Sequence, residues 1–509
     1  MGIKTTRRPR ARARQSIGRI SWWLPALLYF AGAAHWIIFF RNGQLTFEAC
    51  DWPKEALYLR ALGQALHTLE LPWFLRVPEA LSAFPQLSLA KDASGTAYVP
   101  LLALPELNLS PQIVLLRWVG PGVFELVNVL LLYSVGFAGA MALRTRHGLS
   151  ALPFCALFLL FNFNGHIVSH LAVGHAMWSG YFLLPYFVHY ALEWAAQPTA
   201  PDPPIRLALV LSALAYQGSV HLLMSAALVI ACAMGCSRAL WSGGASALGL
   251  GLGLSGLRLL PALLVLRLMP SSGFLGGYAT LSDDAASLLN IRGPEFPAAP
   301  GKFGSLGWWE YDAYIGEVGL LFLAYFGVWR GWQRRRSGDS PYAALLLPLA
   351  LVALLSFSVV AYPLYAVRMP LLASERVTSR YLVIPLLVLI TVSCIQLETT
   401  LQKWRMTHTR RVIIGAALMI EALSLVAHSE RWSLGRLENV ESLAWHDVSS
   451  TVELVQPHPH WLPLYTASLA IGALVTASSV LLCVLLKLRG APLPGAIHLC
   501  PEQVRRGNH

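Results

Sequence analysis

The chain has 509 residues, of which 56% are hydrophobic and only 13% charged, and its mean hydropathy is +0.55. Soluble globular chains carry about 25% charged residues, so a string of soluble domains is excluded. The net charge of +12 is not a nucleic-acid footprint, because the basic residues gather in an N-terminal arm and in short segments between apolar runs.

The arm, residues 1–19, holds Lys4, Arg7, Arg8, Arg10, Arg12, Arg14 and Arg19 and no acid. Arg7-Arg8 is followed by Pro9-Arg10-Ala11, unlike a twin-arginine export signal. Leu24–Ala34 has the look of a signal core, but the apolar run continues through His35-Trp36-Ile37-Ile38-Phe39-Phe40, so an uncleaved anchor is expected. Apolar windows of bilayer-crossing length then predict about twelve spans. They lie near 20–40, 122–143, 149–165, 175–192, 207–217, 220–236, 244–264, 313–329, 342–360, 381–397, 412–427 and 463–486. The expected fold is an all-α polytopic domain over 20–487 with a tail at 488–509. The fifth and sixth windows are short and meet at Gln217-Gly218-Ser219-Val220-His221; a re-entrant pair or one broken span would also fit.

Charge sets the orientation. With the arm in the cytoplasm, the inside segments are 1–19, 144–148, 193–206, 237–243, 330–341, 398–411 and 487–509, which carry 23 Lys/Arg and five acids. The remainder carries 15 Lys/Arg and 21 acids, the asymmetry expected when positive loops stay inside. Merging the fifth and sixth spans would place Arg334-Arg335-Arg336 outside, so twelve spans fit better. The expected location is a bacterial inner membrane. The long loops, 41–121, 267–312 and 428–461, then face the periplasm. Within the first, Pro53–Leu69 and Pro111–Val119 have the spacing of amphipathic helices lying at the interface; an ordinary soluble cap is the alternative. No repeat at a fixed period is evident, which weighs against a transporter built from repeats. Of seven cysteines, most lie in apolar runs, and Cys232 with Cys236 on one helix face lacks further ligands, so packing is expected.

Several polar residues stand where chemistry is plausible. Glu48-Ala49-Cys50-Asp51-Trp52-Pro53 opens the first outer loop, and a carboxylate there can take a proton from a hydroxyl or hold a divalent cation; a solvated loop acid is the plain alternative. His166, His170 and His175 fall at the outer ends of the third and fourth spans, with His221 at another outer turn. They suit substrate hydrogen bonding or, with a carboxylate, a metal. Glu310, Asp312 and Glu317 precede or open the eighth span, while Glu125 and Glu421 lie within others, where a charge is expensive. Arg258, Arg267, Arg368, Arg376 and Arg380 lie on the outer side, and an arginine can fork onto phosphate oxygens. Snorkelling to anionic lipid is the bland reading.

An acid just after the first span, interfacial helices and large outer loops resemble the GT-C superfamily of membrane glycosyltransferases. Phe161-Asn162-Phe163-Asn164-Gly165-His166, Gly174-His175 and Leu184-Pro185 are similar to the third-to-fourth-span region of bacterial GT-C-like proteins. So are Trp309-Glu310-Tyr311, Tyr314-Ile315-Gly316, Glu375-Arg376 and Ser379-Arg380-Tyr381 to other elements of them. The resemblance covers most of the chain through loose motifs. It implies transfer of a sugar from a polyprenyl-phosphate carrier in the membrane to a periplasmic glycan, lipid or protein acceptor. Asp51 would be the base; Glu48, His166, His170, His175, Glu310 and Asp312 would shape the sugar site or hold a cation, and Arg376 and Arg380 would meet the phosphate. Asp51 is followed by Trp-Pro rather than a second acid, so a two-carboxylate motif is absent. A transporter or flippase, and a glycan polymerase or ligase, are the competing classes. No nucleotide-binding loop is visible.

Overall fold

A backbone in hydrocarbon must satisfy its own hydrogen bonds, and the apolar windows are helical accordingly. The computed structural model describes residues 22–45, 47, 50–77, 90–91, 97–268, 273–295, 306–336, 342–369, 372, 375–403, 407–434, 454–455 and 462–490. The arm 1–19, Glu48 and the tail past 490 lie outside the described residues. Helices α1 (Trp23–Phe39), α3 (Pro121–His147) and α4 (Ala151–Asn162) coincide with the first three windows. A short helix α5 (Gly165–Ala172) and a 3-10 stretch, Ala176–Leu183, lead into α6 (Leu184–Ala196). The fifth and sixth windows are separate helices, α7 (Asp202–Tyr216) and α8 (Val220–Cys236).

The seventh window departs from expectation. It is a broken pair, α9 (Trp241–Leu254) and α10 (Gly256–Leu268), bent by 76°. Further on come α11 (Leu281–Leu289), then α12 (Gly316–Phe322), which passes through a π-helical stretch into α13 (Arg330–Arg336). The ninth window is also divided, into α14 (Ala343–Leu354) and α15 (Ser358–Ala366). The last helices are α16 (Val383–Lys403), α17 (His408–Arg431) and α18 (Leu462–Gly490). Among the described residues five helices are long and apolar enough to cross a membrane, or six if α9 and α10 form one span. The chain is an essentially all-α membrane protein.

The first long loop is more than a surface cap. Helix α2 (Trp52–Thr68) buries most of its residues, including Lys54 and Glu55, so it does not merely float at an interface. It packs with Pro111–Arg117, which is a 3-10 stretch rather than an α-helix. A small sheet, unforeseen in the sequence, joins β1 (Phe74–Arg76), β2 (Ala90–Lys91), β3 (Ala97–Pro100) and β4 (Leu454–Val455) in the order β2-β3-β1-β4. Phe74 is opposite Val455, so the first and third long loops meet. Single bridges tie the second long loop to two places, Gly276 to Val377 in the segment before α16 and Tyr278 to Phe357 between α14 and α15.

Contacts at the other helix ends form a separate set. Arg146 Nε lies 3.3 Å from Glu193, and Tyr342 Oη is 3.3 Å from His147 Nδ1. Glu398 accepts from Ser150 N at 2.7 Å, and Arg330 donates to Thr400 at 3.3 Å. The segments expected inside thus meet one another, and those expected outside do the same.

Candidate functional site

Asp51 is the first residue of the site because of how its backbone is held. Its N–H donates to Val173 O at 3.0 Å, and Trp52 Nε1 donates to Ala172 O at 3.0 Å. This apposition needs Gly174, which has φ +82° and whose Cβ would stand 2.5 Å from Trp52 N. Cys50 also adopts a left-handed φ of 52°, a costly conformation for a non-glycine residue of the kind that collects at functional sites. The result brings His175 Nε2 to 3.6 Å from Asp51 Oδ2.

Beneath Asp51 lies a buried lysine. Lys54 Nζ is 3.1 Å from Asp51 Oδ2, 3.2 Å from Glu106 Oε2 and 3.7 Å from Glu55 Oε1. Tyr58 Oη donates to Glu106 Oε1 at 2.9 Å. Burial pushes the Asp51 carboxyl up, but Lys54 and His175 outweigh it and hold Asp51 below the usual carboxylate range. Lys54 is driven the other way: burial favours its neutral form, yet the carboxylates around it raise its pKa. Glu55 is dominated by burial and lies well above the ordinary carboxylate value.

The histidines expected to cluster do so. His170 Nδ1 and His175 Nδ1 are 2.7 Å apart. Such a contact requires one ring to carry its proton on Nδ1 and the other to be bare there. With His175 presenting Nε2–H to Asp51, His170 donates from Nδ1 and its Nε2 is a bare acceptor. His166 packs edge-on against His170 at 4.5 Å. His166 Nε2 and His170 Nε2 are both buried with no protein partner among the described residues. Trp178 stacks on His170 at 4.3 Å and lies parallel to His221 at 6.0 Å. Its side chain is buried, so it is not an open platform for a sugar.

Arg380 completes the cluster but not in the role its position suggested. Its Nε and Nη2 donate to the two Glu310 carboxylate oxygens at 2.8 and 2.7 Å, and Nη1 lies 3.4 Å from Glu375. Glu375 accepts from His221 Nδ1 at 2.5 Å. Burial pushes Glu375 up, but His221 and Arg380 overcome it and bring the carboxyl to about 2. Arg380 is therefore an organiser held between two acids, whereas Arg376 is exposed and reaches neighbours through its carbonyl, which accepts from Leu275 N at 3.0 Å. The two arginines expected to meet a phosphate thus sit in different surroundings.

Other expected residues lie elsewhere. Asp312 Oδ2 is 2.9 Å from His428 Nε2, both side chains fully buried, in a second pair under the stacked Tyr314. Glu421 accepts from Gly319 N at 3.1 Å and so ties α17 to α12. Glu317 is exposed on α12, and Glu125 is buried beside Asn128. Arg258 is spent on the carbonyls of Leu102 (3.0 Å), Leu104 and Leu107 (2.8 Å), at the bend between α9 and α10. The side chain of Arg267 lies outside the described residues. No three His, Cys, Asp or Glu side chains group as metal ligands among the described residues. Among the described residues the cation that pairs with Asp51 is Lys54, 3.1 Å from Oδ2.

Sequence reasoning gave no role to Lys54, Glu55, Glu106, Tyr58 and Trp178. The one available signal was Lys54-Glu55 amid the apolar stretch Pro53–Leu59. Compared with known proteins, the chain matches no family model, no curated protein and no solved structure at a significant level.

Proposed function

We propose that the chain crosses a bacterial inner membrane twelve times, with its N-terminus in the cytoplasm, and transfers a sugar from a polyprenyl-phosphate carrier to a periplasmic acceptor. The observation that carries this reading is the convergence of Asp51, His170, His175, His221, Glu310 and Arg380, from segments all assigned outside by charge, into one cluster. The two separate sets of end contacts support the twelve-span path.

In this reading Asp51, kept ionised by Lys54, takes the proton of an acceptor hydroxyl. The freed oxygen attacks the anomeric carbon, the bond from that carbon to the phosphate oxygen breaks, and the lipid phosphate leaves with the electron pair. The anomeric configuration inverts. The bare acceptor His170 Nε2 and the unpartnered His166 Nε2 suit sugar hydroxyls. Arg380, neutralised by Glu310 and Glu375, fixes the histidine stack, and the exposed Arg376 meets the phosphate.

Two observations favour this class over its competitors. Glu421 is bound to a backbone amide and Glu317 is exposed, so the acids that a proton-coupled transporter would use do not form a chain. A polymerase or ligase relying on Arg380 for phosphate would first have to break its fork to Glu310. The test is Asp51→Asn in membranes supplied with polyprenyl-monophosphate sugars. A loss of at least about a hundredfold in transfer is expected for removing a general base. Full retained activity, or use of diphosphate donors only, would sink the assignment.

A further inference from the structure

The side of α2 turned away from Asp51 lines a second feature, unconnected with the histidine cluster. Arg60, Gln64 and His67 recur along the exposed stripe of α2. Together with Arg117, the largely exposed Trp118 and Pro121 they line a cavity of about 650 Å³. None of its lining residues is acidic, while two are arginines and one is histidine. Arg117 is held in place by donating from Nη1 to Leu66 O at 2.7 Å.

The position of the cavity identifies its ligand class. Pro121 is the first residue of α3, a helix of 27 residues that is apolar enough to span a bilayer. The cavity therefore sits where hydrocarbon gives way to headgroups. Gly120 and Pro121 bring the N-terminal end of α3 to the cavity wall, and the positive end of a long helix favours anions. Leu59 and Leu116 supply an apolar floor, and Trp118 has the amphipathic ring found at membrane interfaces. Arginine forks match phosphate oxygens.

We infer that this cavity binds the phosphate headgroup of an anionic membrane lipid, with its acyl chains running down the outside of α3. Occupancy braces α2 from the side opposite Lys54. The inference does not depend on the sugar-transfer reading.

The test uses the full chain purified in a neutral detergent, with radiolabelled phosphatidylglycerol and phosphatidylcholine as probes. Saturable binding of phosphatidylglycerol, at least about tenfold tighter than phosphatidylcholine, is expected. Arg60→Gln with Arg117→Gln should abolish that preference. Arg117 also supports Leu66, so Arg60→Gln and His67→Gln are measured separately, each checked for unchanged elution as a single species, and each should weaken binding several-fold. Equal binding of the two lipids, or an unchanged preference in folded Arg60→Gln and His67→Gln, overturns the inference. Competition by sn-glycerol 1-phosphate at concentrations matching the lipid would reassign the site to a soluble organophosphate and overturn the lipid assignment.

Discussion

Replacing Lys54 by methionine tests the electrostatic core of the site. The change keeps the length of the side chain and removes the cation that faces Asp51, Glu106 and Glu55 at 3.1, 3.2 and 3.7 Å. Breaking a buried ion pair by deleting one partner costs about 3–5 kcal/mol. Asp51 keeps 29% of its side chain exposed and Glu106 13%, against 1% for Lys54. Water can take up part of the abandoned charge, which lowers the expected loss to about 2–3 kcal/mol. The pH window follows from the shifts. Asp51 is depressed, so its contribution is present above the unfolded carboxylate value of about 4 and is lost as pH falls through its folded one. Lys54 is raised, so its contribution is complete below about 10.4 and is lost only as pH rises through the folded value. The variant should therefore lose stability across the whole neutral range. Thermal unfolding in one detergent at pH 7, read by tryptophan fluorescence, measures it. Lys54→Met combined with Glu106→Gln should cost less than the sum of the two single changes, by about 1–2 kcal/mol. A Lys54→Met protein within about 0.5 kcal/mol of the parent, or an additive cycle, would refute the idea that these charges act as a unit. With the cation gone, burial raises Asp51, so the acid limb of any transfer activity should move to higher pH.

Glu55→Gln should behave differently from its neighbour's substitution. Burial holds the Glu55 carboxyl well above the ordinary carboxylate value, which favours the neutral form that an amide mimics, so unfolding should shift by less than about 0.5 kcal/mol at pH 7; a loss of several kcal/mol would show that the contact with Lys54 needs the charge of Glu55. Gly174→Ala places a Cβ 2.5 Å from Trp52 N at a φ of +82°. A destabilisation of about 2–3 kcal/mol is expected, with transfer falling as Asp51 is pushed from His175; an unperturbed protein would contradict the described apposition. Cys50, raised to about 11 by burial and by Asp51, should react slowly with maleimide at pH 7. Its rate should climb about tenfold per pH unit towards that value, and fast labelling at neutral pH would disprove the shift.

The helical ground plan was legible because spacing and length in hydrocarbon leave the backbone little choice. Windows at 122–143 and 381–397 became α3 and α16, and the turn at Gln217–Ser219 separates the helices of the fifth and sixth windows. The break in the seventh window was missed because apolar length was weighed alone, although Gly253, Ser255-Gly256 and Pro261 mark a place where a helix bends. The small sheet escaped because strands of two to four residues are too short to show an alternation. In the site, the histidines could be grouped from their spacing and position. Lys54 could not, because the acid that justifies its burial, Glu106, is more than fifty residues away in sequence. For the same reason Arg380 read as a free cation: nothing local reveals Glu310 as its partner.

The pairing of β1 with β4 has a consequence for how the protein is made. Phe74 and Val455 are separated by about 380 residues, so almost the entire chain must leave the ribosome before the first loop finds its last neighbour. Until then one side of β1 is an open edge, a surface that invites pairing with another chain. Contacts this distant in sequence are slow to form and leave intermediates exposed. Premature chain termination anywhere before β4 would then leave this cap unsealed over the helices beneath it, and such fragments should be preferred targets for proteolysis.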